Sequence, residues 1–332
     1  IQQGETYAKA KFYSTFTPGT TTITATAPGF ATVQASITTV GPVPSKLAVY
    51  GLPPTLPADR RSHEAIVVQL QDASGVPARA PLGGLVVTLT SSNITVGTVA
   101  SSVNIKAGET YAMANFFANN TGSTTITAIA SGYSSGQATI KTETGGADAV
   151  KLKVHVGPPK VPADGGAYNM IAVQLQDKDG KLTSAPSSTL ISLSSSDIDI
   201  GSVDSSITIT EGSTYAIAKL YSTYRPGSTT ITATAPGYTT SQASISTVGY
   251  VPTKLAVFCA PSNLPADGQS YEAVIVQLQD SSGNPAKDPV SDIKVSLFSS
   301  KTEVGDVDQE VIIPFGKTFA VAGRDGSFML FR

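Results

Sequence analysis

Two histidines, one cysteine and a recurring set of aspartates are the residues of this chain that could do chemistry. A general base near neutral pH is most often histidine, and the candidates are His63 and His155. Aligned on an internal repeat, His63 falls opposite Tyr168 and Tyr271, and His155 falls opposite Tyr50 and Phe258. Each histidine stands where its siblings carry an aromatic ring, so both read as rings packed beside a strand rather than as bases. Cys259 falls opposite Gly51 and Val156 with no histidine nearby, and reads as a partly buried structural thiol, with an intermolecular disulfide as the alternative. One cysteine and two scattered histidines cannot supply the soft ligands of a zinc site.

The aspartates recur in two settings. Asp59, Asp164 and Asp267 sit in Pro-Ala-Asp turns, and Asp72, Asp177 and Asp280 open turns that end in glycine. A carboxylate there accepts the amides of its own turn, the Asx-turn role. Calcium is the sharper alternative, since hard oxygen ligands at a domain joint would stiffen a chain of domains. Asp197 and Asp199, read as alternate carboxylates on one face of an extended segment, and Asp306-Val-Asp308 add candidate ligands, but no Asp-x-Asp-x-Asp-Gly loop exists. Two glycosylation sequons, at Asn93 and Asn119, fall at predicted turns of one repeat. No cofactor other than calcium is suggested.

What must position these residues is a repeat. Leu56-Pro-Ala-Asp59 returns as Val161-Pro-Ala-Asp164 and Leu264-Pro-Ala-Asp267, and Gln69-Leu-Gln-Asp72 returns at 174–177 and 277–280. Tyr7, Tyr111, Tyr215 and Phe319 are each 104 residues apart. A unit of about 104 residues is too long for a solenoid turn and matches one whole domain. Pro/Gly-rich seams phase the chain as the C-terminal part of a domain (1–43), two complete domains (44–146 and 147–250) and an incomplete domain lacking its last strands (251–332).

Within a unit the apolar period is two. Glu64-Ala-Ile-Val-Val-Gln-Leu-Gln71, Leu85-Val-Val-Thr-Leu-Thr90 and Ser228-Thr-Thr-Ile-Thr-Ala-Thr-Ala235 read as strands, joined by turns such as 72–77 and 280–285 where Gly supplies positive φ and Pro fixes it. No segment keeps a 3.6-residue period between caps. Some seven short strands per unit give an all-β fold of tandem immunoglobulin-like β-sandwiches.

Composition narrows the function. Charged residues make up 14% of the 332, the formal net charge is −2, and 38 Ser with 40 Thr fill the gap. That balance offers nucleic acid no electrostatic footprint, no stretch approaches the ~20 apolar residues of a membrane helix, and 40% hydrophobic content argues against disorder.

The motif order Lys-Leu-Ala-Val (254–257), Pro-Ala-Asp-Gly (265–268), Val-Gln-Leu-Gln-Asp-Ser-Ser-Gly-Asn-Pro-Ala (276–286), Val-Gly-Asp-Val (304–307) and Gly-Ser-Thr-Thr-Ile-Thr-Ala-Thr-Ala-Pro-Gly-Tyr (227–238) resembles the bacterial and archaeal Ig-like repeats of the invasin/intimin type over essentially the whole chain. The resemblance implies a non-enzymatic, extracellular protein at the cell surface: a rod of sandwiches in a surface layer or filament, each burying its own core, with itself or other surface proteins as partners. An adhesin stalk presenting a receptor or glycan site, and an accessory segment of a secreted hydrolase, are the alternatives. The ends raise a further expectation. After Phe319-Ala-Val-Ala322 the residues 323–332 replace the Thr-rich strand pair seen at 228–248, while 1–41 contain such a pair. Either flanking repeats lie outside the given sequence, or the N-terminal strands of one molecule complete the C-terminal domain of the next, head to tail.

Overall fold

A computed structural model describes residues 1–288 and 290–322; the stretch 323–332 lies outside the described residues. Among these residues there is no helix, and so none long and apolar enough to cross a membrane. Strands β1 (Gly19–Ala25) and β2 (Val33–Thr39) form an antiparallel hairpin of their own.

Nine strands follow between residues 46 and 143. They are β3 (Lys46–Gly51), β4 (Thr55–Pro57), β5 (Ser62–Gln71), β6 (Leu85–Ser91), β7 (Gly97–Val99), β8 (Ser102–Ile105), β9 (Tyr111–Ala118), β10 (Gly122–Ile129) and β11 (Gly136–Glu143). They make two sheets, in the orders β3-β5-β9-β7 and β4-β11-β10-β6-β8. The first chain segment is shared: β3 pairs with β5 in one sheet, and β4 crosses to pair in parallel with β11 in the other. That two-sheet order is the immunoglobulin arrangement. Ile66, Val68, Leu70, Val87, Phe116, Ile126 and Ile140 fill the space between the sheets, all fully buried. Gly97 lies under the Phe116 ring, where a Cβ would come within 2.2 Å of the ring carbon Cζ.

Residues 151–248 repeat the plan strand for strand: β12 (Lys151–Val156), β13 (Lys160–Pro162), β14 (Ala167–Gln176), β15 (Thr189–Ser195), β16 (Gly201–Val203), β17 (Ser206–Ile209), β18 (Tyr215–Ser222), β19 (Gly227–Thr234) and β20 (Ser241–Val248). The orders β12-β14-β18-β16 and β13-β20-β19-β15-β17 match the first sandwich. Side-chain detail repeats as well. Gln137 donates to Thr127 Oγ1 at 3.2 Å, Gln242 to Thr232 at 3.0 Å and Gln34 to Thr24 at 3.2 Å, closing three Thr-rich hairpins in the same way. The unit thus holds nine strands where the turn spacing suggests seven, because β4, β7 and β8 and their counterparts have only three or four residues.

The third repeat contributes β21 (Lys254–Cys259), β22 (Val274–Gln279), β23 (Ile293–Ser296), β24 (Glu310–Ile313) and β25 (Phe319–Ala322), as sheets β21-β22-β25 and β23-β24. Its core is small, centred on Val276, Leu278, Val295, Val311 and Ile313. The chain divides into two compact units. One gathers 1–13, 224–226 and the residues from 249; the other gathers 14–223 and 227–248, and so contains both nine-stranded sandwiches.

Candidate functional site

The aspartates sit in tight turns with their oxygens already engaged. Asp72 Oδ1 accepts the amides of Ser74 and Val76, Asp177 Oδ1 those of Asp179 and Lys181, and Asp280 Oδ1 those of Ser282 and Asn284, all at 2.8–2.9 Å. Gly75, Gly180 and Gly283 close these turns at φ near +80 to +90°, where a side chain would be strained. The amide of Lys181 holds the Asp177 carboxyl below its usual range, and the Asn284 side-chain amide does so for Asp280. Asp197 and Asp199 depart from the expected extended segment: they occupy a turn in which the Asp199 amide donates to Asp197 Oδ1 at 3.0 Å, so the two carboxylates do not share a strand face. Among the described residues no three His, Cys, Asp or Glu side chains gather as a metal-binding group. Asn93 is exposed, its Oδ1 accepting from Thr95, and Asn119 is half-buried, its amide donating to the Ile94 carbonyl. Cys259, expected to be partly buried, is exposed at the end of β21.

The Pro-Ala-Asp aspartates do something more specific. Each accepts an amide two residues on, from Arg61, Gly166 or Gln269, and each also holds the ring four residues on. Asp59 meets His63 Nε2 at 3.0 Å, while Asp164 and Asp267 accept the hydroxyls of Tyr168 and Tyr271 at 2.6 Å. In the two complete sandwiches a β-bulge follows the ring at once, between Glu64 and Ile66 and between Asn169 and Ile171. The bulge bends the strand end that carries the ring.

Each anchored ring then meets a tyrosine of another repeat. His63 faces Tyr215, Tyr168 faces Tyr111 and Tyr271 faces Tyr7, in every case with ring centroids 6.1 Å apart. The histidine is a packed ring, as its alignment with tyrosines suggests.

Two of these contacts belong to one interface, between the sandwich of β3–β11 and that of β12–β20. It is reciprocal. Tyr111 of the first meets Tyr168 of the second, and Tyr215 of the second meets His63 of the first, the same two repeat positions exchanged. Gln69 donates to the Lys160 carbonyl and Gln174 to the Thr55 carbonyl, both at 2.9 Å, again the same positions exchanged. Leu52 and Val67 of the first sandwich are fully buried in the core cluster of the second, joined there by Tyr50, Tyr111 and Met113. Contacts exchanged in this way define an isologous, two-fold interface, here between repeats of one chain.

The interface explains burial that alternation does not. β5 and β14 are covered on both faces: Ala65–Gln71 is buried throughout, including Gln69 at 0% exposure, and Gln174 is 1% exposed. Neighbouring sandwiches, each expected to bury its own core, instead share a broad face. The buried glutamines were not singled out from the sequence, although the unbroken run Ala65-Ile-Val-Val68 signals a strand covered on two sides.

Burial shifts the titrating groups of this face. It pushes Tyr215 up to about 12, with the Asp59 and Glu64 carboxylates adding to the effect, and raises the Tyr50, Tyr111 and Tyr168 phenols. It lowers His155, whose Nε2 lies 3.3 Å from Gln174 Oε1. Arg79 bridges the sandwiches at one edge, reaching Asp164 at 2.6 Å and the Gly108 carbonyl at 2.7 Å.

No family model and no curated protein matches the chain. Among solved structures, domains 4–9 of the S-layer protein SbsC are 17% identical with a TM-score of 0.40, over 89% of this chain and 47% of that one. Domains 5–6 of the same protein are 18% identical with a TM-score of 0.37, over 63% of this chain and 99% of that one. Invasin, a bacterial integrin-binding protein, is 20% identical with a TM-score of 0.28, over 95% of this chain and 63% of that one. The Ig-like fold itself is read from the strand order of each nine-stranded sandwich.

Proposed function

We propose that this chain is a non-enzymatic structural segment of an extracellular, cell-surface assembly, a surface layer or filament, built by docking Ig-like sandwiches on one another. The observation that carries the reading is the reciprocal face: the residues with most chemical potential, His63, Tyr111, Tyr168, Tyr215 and the paired glutamines, are spent on holding sandwich to sandwich. The aspartates that could have served catalysis or a metal are spent on turns and on anchoring those rings. A weakly charged chain with net charge near zero favours association, which suits a protein that packs closely against neighbours.

The test is location. Antibody raised against the chain should label intact source cells, and protease added outside should remove the label. Label that appears only after the cells are broken overturns the reading.

A further inference from the structure

Among the described residues the third repeat carries the same face without a sandwich packed on it. Phe258 stands where Tyr50 and His155 stand, and Phe319 and Val321 stand where Tyr111 and Met113 or Tyr215 and Ile217 stand. Of those counterparts Tyr50, Tyr111, Met113, Tyr215 and Ile217 are packed against the core clusters of the paired sandwiches. Phe258, Phe319 and Val321 are instead 46%, 51% and 41% exposed, neighbours on the one sheet β21-β22-β25. Large apolar side chains clustered on one face mark an interaction site.

The polar part of the face is also present and set. Gln279 donates to Gln277 Oε1 at 2.8 Å, as Gln71 donates to Gln69 Oε1 at 2.7 Å. That bond leaves the Gln69 amide group to reach the Lys160 carbonyl of the sibling sandwich. The Gln277 amide group has no such acceptor among the described residues. Asp267 anchors Tyr271 as Asp164 anchors Tyr168.

We propose that this face docks a second copy of the chain through that copy's identical face, in the same two-fold manner that joins the two complete sandwiches. The inference rests on the structural reading above and names the surface through which copies associate. The occupant follows from self-complementarity: the ring and glutamine contacts that join the two complete sandwiches are made between the same face of each, by exchange of the same positions. The third repeat's Tyr271 keeps to that rule, since the ring stacked on it is Tyr7, at the position of Tyr111 and Tyr215. Tyr7 covers the Tyr271 end of the face and leaves Phe258, Phe319 and Val321 open. In the dimer Phe319 of each copy takes the place of Tyr7 on Tyr271 of the other, and each Gln277 donates to the carbonyl of Asn263, the position of Thr55 and Lys160.

Geometry at the axis supplies a direct test. Position 157 meets its own counterpart, position 52: a Cβ on Gly157 would lie 3.8 Å from Leu52 Cδ1 and 3.2 Å from Tyr50 Cβ. The matching position in the third repeat is Ala260, which is exposed. In a Cys259→Ser background, Ala260→Cys should form a disulfide-linked dimer under mild oxidation, while Leu190→Cys, exposed on β15 away from the face, should not. Sedimentation of the full chain should show a concentration-dependent dimer. Phe258→Asp with Phe319→Asp should weaken it at least about tenfold, Leu190→Asp should leave it unchanged, and Tyr7→Ala should strengthen it. A chain monomeric with and without Tyr7, with no Ala260→Cys cross-link, overturns the inference, as does association that the Phe258/Phe319 pair leaves untouched. Association by another face would leave the surface-assembly reading standing, whereas a dimer in a protein absent from the cell surface would remove that reading and keep this face.

Discussion

Tyr168 donates its hydroxyl to the carboxylate of Asp164, four residues upstream, at 2.6 Å. The same spacing joins Tyr271 to Asp267, and His63 to Asp59. The turn aspartate thus orients the ring that a tyrosine of another repeat packs on, which couples a local Asx turn to the joining of domains.

Removing that anchor should cost unequal amounts. Asp164 Oδ1 also accepts from the Gly166 amide and the Ser222 hydroxyl, and its other oxygen holds Arg79. Asp164→Ala should destabilise the paired sandwiches by about 2–4 kcal/mol, as loss of several charge-assisted bonds at a mostly buried group does. Asp267→Ala strips an exposed carboxylate and should lower the melting temperature much less. Equal losses in thermal unfolding would show that the interface adds nothing to the anchor.

Stability should be bounded by pH on both sides. Burial lowers the folded His155 pKa, so below about 6.5 the unfolded chain binds more protons and stability falls as pH falls. Burial raises Tyr215 to about 12, so the unfolded chain loses its proton first, and stability present below about pH 10 is lost as pH rises toward 12. His155→Phe, the ring found at position 258, should flatten the limb that begins below about pH 6.5 and leave the alkaline limb alone. Denaturant melts of the variant across that range check this, and an unchanged acid limb would assign it to other groups.

The sequence is explicit about strands and silent about what covers them. Period-two alternation and Gly/Pro turns mark β5, β6 and β19, because a sandwich strand has one core face and one outer face. The run Ala65–Val68 signals cover on both faces but cannot say what occupies the outer face of β5, since Val67 and Gln69 each suit a surface as well as an interface. Three-residue strands such as β4 and β7 are too short to show a period at all. The aspartates were legible as turn residues, but their second role depends on a ring four residues on and a partner about fifty residues away or more, which no local pattern encodes.

Thr110 and Thr214 occupy the same repeat position, are 3% and 4% exposed, and their hydroxyls have no hydrogen-bond partner among the described residues. An unsatisfied buried hydroxyl costs about 1–3 kcal/mol, and valine has nearly the same shape. Thr214→Val should therefore be neutral or raise stability by roughly 1 kcal/mol. A clear loss on equilibrium unfolding would mean that the hydroxyl is hydrogen-bonded in solution.

Calcium should change little. Asp72, Asp177 and Asp280 are each committed to backbone amides, and the Pro-Ala-Asp carboxylates to rings. Melting with millimolar calcium or with chelator should differ by about a degree at most, since a ligand that does not prefer the folded chain stabilises nothing. A shift of several degrees that rises with calcium concentration would reveal a site formed by these residues after all.

The buried glutamines offer the sharpest comparison between repeats. Gln174 is 1% exposed, donates to the Thr55 carbonyl of the sibling sandwich and lies against His155. Gln174→Leu keeps the bulk but strands that carbonyl and removes a partner from His155, and should cost about 2–3 kcal/mol. Because the lost bond joins two sandwiches, amide exchange should accelerate in β5 as well as in β14, on strands about a hundred residues apart in sequence. Gln277→Leu removes the equivalent group from the third repeat, where among the described residues no sibling carbonyl receives it and the residue is half-buried. In dilute monomer that change should be close to neutral, and at concentrations where copies associate it should weaken the dimer. If Gln174→Leu loosens β14 alone, the two complete sandwiches are independent in solution and the reciprocal face does not hold them together.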